Sequence, residues 1–75
     1  MLSTKEQQLM KKFGKHLAKI RKSKGYTQQE LAEEVNMSIV AIAYIETGKR
    51  WARLGTLHKI ANALNVTISD LLKGI

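Results

Sequence analysis

Apolar residues return every three or four positions along most of this chain. Met10, Phe13, Leu17 and Ile20 recur at helical spacing on one face, with lysines filling the others. Ser3 followed by Glu6 predicts a capping box, so the first helix is expected to start near residue 4. Its turns up to Met10 are expected to fray or dock weakly, and Gly25 to stop it. Thr27 and Glu30 repeat the capping pattern and open a short second helix with Leu31, Ala32 and Val35 on its buried side. Asn36, which tolerates a left-handed turn, is expected to close it. Ser38 caps a third helix that Gly48 ends. A loop containing Trp51 leads to a fourth, with Leu54, Leu57, Ile60, Ala61 and Leu64 as its apolar stripe and Asn65 as its breaker. Thr67 and Asp70 pair to open a last short helix carrying Leu71 and Leu72.

The absence of proline and the scarcity of strand-like alternation make this an all-α chain, read as five helices in one compact bundle. At 75 residues it is one domain, taken as residues 1–75, with no repeat or linker. So short a chain buries a modest fraction of its surface and gains from oligomerising. Having no cysteine, it has no disulfide framework and no thiolate metal site. No apolar run approaches the roughly 20 residues of a membrane span, and no signal peptide is evident, so a cytoplasmic location is expected.

Charge narrows the partners. The formal net charge is +7 and the pI near 10.0. Lys5, Lys11, Lys12, Lys15, Lys19, Arg21, Lys22 and Lys24 precede residue 25, and Lys49, Arg50 and Arg53 form a second group. A polyanion is the expected partner, nucleic acid first and an anionic membrane surface second. The plainer reading of such runs is a solvated face that aids solubility. Membrane association fits poorly, because the apolar stripe of the first helix is needed for the core. His16 and His58 are isolated from each other and from acidic residues at ligand spacing, so no metal site is expected. Nothing resembles a catalytic triad, a phosphate-cradling loop or paired carboxylates; no catalytic residue and no cofactor are expected. Trp51 has three open readings: a plug under its loop, a contact with a phosphate backbone, or a dimer contact.

Two short capped helices joined by a three- or four-residue turn mark a helix-turn-helix over about residues 27–47. Ala32 is small enough for the two helices to cross closely, and Ile42 and Ile45 would bury the second against the first. The segments "IRKSKGYTQQELA", "S…I…IETGKR" and "TLHKIANALNV" together resemble the phage-repressor-like (Xre-type) helix-turn-helix family from Phe13 to Leu72. Within it the chain is similar to the small controller proteins of restriction–modification systems. The resemblance implies a lambda-repressor-like fold and double-stranded DNA as partner. It implies that Gln28, helped by the amides of its helix N-terminus, touches a phosphate. It places Ser38, Ile39, Val40, Ala43 and Tyr44 toward the bases, Lys49 and Arg50 on the DNA backbone with Arg53 beside them, and Arg21 in a structural pair with Glu46. Where the family often has Pro-Ser this chain has Ala52-Arg53, so its fourth helix loses a standard cap and gains a charge.

The recognition helix is the larger departure, since Ser38 to Ile45 contains no Arg, Lys, Asn or Gln. With Ile42 at the centre of the buried face and about 100° per residue, Ile45, Glu46 and Ile39 fall inward. Val40 and Tyr44 then point out, flanked by Ala41 and Ala43. Aliphatic side chains in a major groove suit thymine methyl groups, so base readout is expected to be modest and biased toward thymine, with phosphates supplying affinity. The alternative is an antitoxin or adaptor module that uses the same apolar surface for protein–protein contact. The expected assembly is a homodimer on a pseudo-palindromic operator, joined through Leu72 and Ile75 beside the fourth helix. A bacterial or phage regulator follows from these expectations, its sign of regulation set by operator position.

Overall fold

The computed structural model describes residues 3–75. Among them it forms five helices: α1 (Thr4–Ser23), α2 (Gln28–Glu34), α3 (Ile39–Glu46), α4 (Leu54–Leu64) and α5 (Ile68–Leu71). Their starts follow the caps read from the sequence, with one correction. Ser3 accepts from the Glu6 N–H at 3.0 Å, but the Glu6 carboxylate does not return to Ser3; it accepts from Trp51 Nε1 at 3.0 Å. The first turns of α1 also differ from the weakly docked segment expected. They are regular helix, and Met10 is fully covered.

At α2 and α5 both halves of the box close: Thr27 with Glu30, and Thr67 with Asp70. Asn36 and Asn65 turn left-handed at φ 57° and 56° and end α2 and α4. At α4 Arg53 is the N-cap with no side-chain bond, the consequence of lacking a capping residue there.

Phe13, Leu17, Leu31, Ile42, Ile45, Ile60, Leu64 and Leu71 make the centre of the core, drawn from all five helices. Each stabilises the fold by about 1.5–3 kcal/mol through burial. The expected stripe of α4 needs correcting at one end: Leu54 is 73% exposed, and the buried stripe is Ile60, Ala61 and Leu64 with Leu57 at its edge. The first residue of an uncapped helix lies beyond the edge of the bundle.

α3 lies against both α2 and α1. Its crossing with α1 is backbone to backbone. A Cβ at Gly14 would meet the Glu46 carbonyl oxygen and stand 2.5 Å from that of Ile45. One at Gly48 would stand 2.6–2.8 Å from Lys11. A glycine inside a helix costs about 1 kcal/mol relative to alanine, and at Gly14 that cost permits the close approach.

Candidate nucleic-acid interface

The turn between α2 and α3 is set by local bonds. The Met37 N–H donates to Ala32 O at 2.8 Å, Asn36 supplies the left-handed residue, and Ser38 Oγ accepts from the Ala41 N–H at 3.0 Å. Ala32, nearly fully buried, allows the two helices to meet.

The rear of α3 is held by charge. Arg21 from α1 grips Glu46 bidentately, Nε to Oε2 at 2.7 Å and Nη2 to Oε1 at 3.1 Å, with both side chains buried. Arg21 Nη1 also donates to Tyr26 O at 2.7 Å, and Gln28 Nε2 donates to Glu46 Oε1 at 2.9 Å. Each buried polar atom of this network has a partner, the condition under which a buried pair is tolerated. It ties the last turn of α3 to α1 and to the first turn of α2.

The front of α3 is apolar and uncovered. Ile39, Val40 and Tyr44 are exposed, with Ala43 partly so. Here the helical wheel needs correcting: Ala41 is buried, 7% exposed, while Ile39 is 45% exposed. The buried set is Ala41, Ile42, Ile45 and Glu46, and its centre lies about 30° from Ile42. The rotation brings Thr47 onto the outward face, where its hydroxyl donates to Ala43 O at 2.7 Å. Ser38 stays exposed; its oxygen serves the cap, leaving its hydroxyl proton free to donate.

Basic side chains follow α3 directly. Lys49 Nζ lies 5.5 Å from the centre of the Tyr44 ring, a cation–π distance. Arg50 and Arg53 line an open hollow with Trp51, Met37, Ile45 and Thr56. Trp51 divides its role: one side packs on Phe13, ring centroids 6.0 Å apart, and the rest is exposed. Gln28 spends one amide hydrogen on Glu46 and keeps the other. At the start of α2 the capping box takes up the amides of Thr27 and Glu30. The Thr27 backbone and side-chain bonds hold the Glu30 carboxyl below its ordinary range, as those of Thr67 do for Asp70.

The proposed dimer residues stand apart from this surface. Leu72 and Ile75 are exposed at the C-terminal end, where Leu72 caps α5. His16 Nε2 lies 2.8 Å from Asp70 O and bridges α1 to α5; His58 meets Asn62 at 3.4 Å. Among the described residues no group of three His, Cys, Asp or Glu could hold a metal, and no helix is long and apolar enough to cross a membrane.

Sequence reasoning missed the Gln28–Glu46 bond, Thr47, the exposure of Leu54 and the Glu6–Trp51 bond. Gly14 inside a helix was a readable sign of close approach; a bond between residues 6 and 51 leaves no sign in the sequence.

Residues 17–71 match the family model HTH_3, helix-turn-helix. Over 62 residues the chain is 42% identical to the SPbeta prophage-derived uncharacterized HTH-type transcriptional regulator YonR of Bacillus subtilis, covering 83% of this chain and 57% of YonR. The chain therefore spans little more than half of that relative. Among solved structures it is similar to the clp gene regulator ClgR of C. glutamicum, at 30% identity and TM-score 0.81, covering 85% of this chain and 82% of that one. It is likewise similar to the restriction-modification controller protein C.AhdI of Aeromonas hydrophila, at 31% identity and TM-score 0.79, covering 85% and 96%.

Proposed function

The chain belongs to the HTH_3 helix-turn-helix family, and we propose that it is a DNA-binding transcriptional regulator that docks α3 in the major groove as a homodimer. The observation that carries this reading is the surface of α3. Its apolar front is left uncovered, and Lys49, Arg50 and Arg53 follow directly where a phosphate backbone would run. An exposed Ile39, Val40 and Tyr44 on an eight-residue helix is solvent-exposed apolar area without purpose unless a partner covers it.

Ile39, Val40 and Ala43 would pack on thymine methyl groups. The Ser38 hydroxyl and the Tyr44 hydroxyl would reach a base edge or phosphate. Lys49, Arg50, Arg53 and the free hydrogen of Gln28 would hold phosphates, giving most of the affinity and a steep salt dependence. Arg21 and Glu46 touch no DNA; they set the angle of α3. A two-fold pair would use Leu72 and Ile75. On a pseudo-palindromic operator such a pair would have to set its two α3 helices about 34 Å apart, one turn of DNA. The likeness to C.AhdI, nearly all of whose length this chain spans, supports a controller role in a restriction–modification system.

The test is selection of bound duplexes from a random DNA library at two salt concentrations. Enrichment of a two-fold motif with thymines in each half supports the full reading. A single half-site motif removes the dimer, and binding without enrichment removes sequence readout. No binding leaves the apolar front to a protein partner, as in an antitoxin or adaptor. The dimer has its own check: Leu72→Asp with Ile75→Asp should sediment as a monomer at concentrations where the wild type is dimeric.

A further inference from the structure

The segment from Arg50 to Arg53 bears two of the cations expected to meet phosphate, yet its own backbone does little to fix it. Lys49 is the last residue after α3 whose N–H reaches a carbonyl, Tyr44 O at 2.8 Å. No backbone bond is donated from Arg50, Trp51, Ala52 or Arg53 among the described residues. The helix that follows starts without a side-chain cap. The far end of the segment is held by α4, whose Leu57 N–H donates to Arg53 O at 2.8 Å, and the rest of it by α1. Gly48 lies against the Lys11 backbone so closely that no side chain fits. Trp51 rests on Phe13, and its Nε1 donates to Glu6 Oε2 at 3.0 Å. Ala52 packs at the edge of the core.

We propose that Glu6 and Trp51 are positioning residues: the first turns of α1 brace the Lys49–Arg53 segment so that its cations are presented in place before DNA arrives. The inference rests on the DNA-binding reading. Glu6 and the turn around it lie before the stretch matched by the family model, which begins at residue 17. The brace belongs to this chain's own N-terminal helix and its Trp51. Its physical basis is preorganisation. A segment that must be ordered on binding subtracts that cost from the affinity, and one already ordered does not. Glu6 is also an anion close to a surface meant for phosphate, and its bond to the Trp51 N–H gives a carboxylate there a purpose.

The charge on Glu6 complicates a simple deletion, because its removal by itself favours DNA. Glu6→Ala and Glu6→Gln are therefore compared with each other. Both are neutral, and only glutamine can accept from the indole. DNA affinity is measured at fixed salt in the full chain, with and without Trp51→Phe, which keeps a ring over Phe13 and removes the N–H. The brace requires Glu6→Ala to bind on the order of three- to tenfold more weakly than Glu6→Gln, and that gap to close in the Trp51→Phe background. In the free protein, amide order parameters of residues 50–53 should fall in Glu6→Ala and be kept in Glu6→Gln. Equal affinities for the two variants, with unchanged order parameters, overturn the brace. Wild-type protein that binds no DNA overturns the functional reading beneath it, and the order parameters then still report whether the segment is braced.

Discussion

The two faces of α3 depart from the usual division of a surface helix into an apolar rear and a polar front. Its rear buries a carboxylate, Glu46, locked to Arg21 and Gln28, while its front leaves Ile39, Val40 and Tyr44 in solvent. A charge is buried beside the apolar Ala41, Ile42 and Ile45, and further apolar area is left outside. The rear spends its polarity on orientation. A bidentate pair with every polar atom satisfied admits one geometry, whereas apolar packing alone tolerates small rotations. On the proposed reading the front would gain from that rigidity, because contacts with methyl groups have little directionality of their own. A helix that reads by shape has to be held by something that is not shape alone.

The largest expected effect breaks the rear. Glu46→Ala leaves the Arg21 guanidinium buried without its counter-charge and should destabilise the fold by about 3–5 kcal/mol. That is a large share of the 5–15 kcal/mol typical of a domain. Urea denaturation measures it. Arg21→Met combined with Glu46→Leu should recover most of the loss while leaving α3 less firmly oriented. A double variant as unstable as Glu46→Ala would mean that the pair is not the source of the cost.

The same lack of contrast between the two faces explains what was legible in the sequence. Helices α2 and α5 and the bounds of α1 could be read because their signals are local: a hydroxyl three residues before a carboxylate, a stripe at 3.6-residue spacing, an asparagine or glycine at the turn. The Arg21–Glu46 pair came only through family resemblance, since nothing local joins residues 25 positions apart. In α3 periodicity failed. Ile39, Val40, Ala41, Ile42, Ala43 and Ile45 are apolar all round, so the wheel carries no contrast to fix its rotation. Centred on Ile42, it turned Ala41 outward and Ile39 inward, the reverse of the structure. The true rotation is decided by α1, whose Gly14 admits the backbone at Ile45 and Glu46, and by the small Ala41 facing the bundle. Leu54 failed for another reason: it shares the spacing of the α4 stripe but precedes the point where that helix meets the core.

A substitution on the front should leave the fold intact and change only recognition. Val40→Asp places a carboxylate in the first turn of α3, exposed, where stability should move by about 0.5 kcal/mol or less. In a groove lined with phosphates the same carboxylate should weaken DNA binding on the order of a hundredfold. Melting temperature and DNA affinity measured together separate the faces. Front and rear would cease to be independent if Val40→Asp lowered stability as Glu46→Ala does. A protein that kept its affinity would not be using this face on DNA.

The smallest effect asks what the front reads. If Val40 covers a thymine methyl, replacing that thymine by uracil removes about one buried carbon, worth about 0.8 kcal/mol or roughly a fourfold loss of affinity. The exchange leaves the hydrogen-bonding edge of the base unchanged, so a loss reports the methyl and nothing polar. Repeating it with Val40→Ala assigns the contact. When Val40 is the reader, the uracil penalty disappears in that background, because the shortened side chain no longer reaches the methyl. A penalty that survives passes the contact to Ile39 or Ala43, both of which the rotation of α3 leaves able to reach outward. No penalty at any thymine of the site would show that the apolar front fits the groove without reading it, and specificity would then fall to the Ser38 and Tyr44 hydroxyls at its edges.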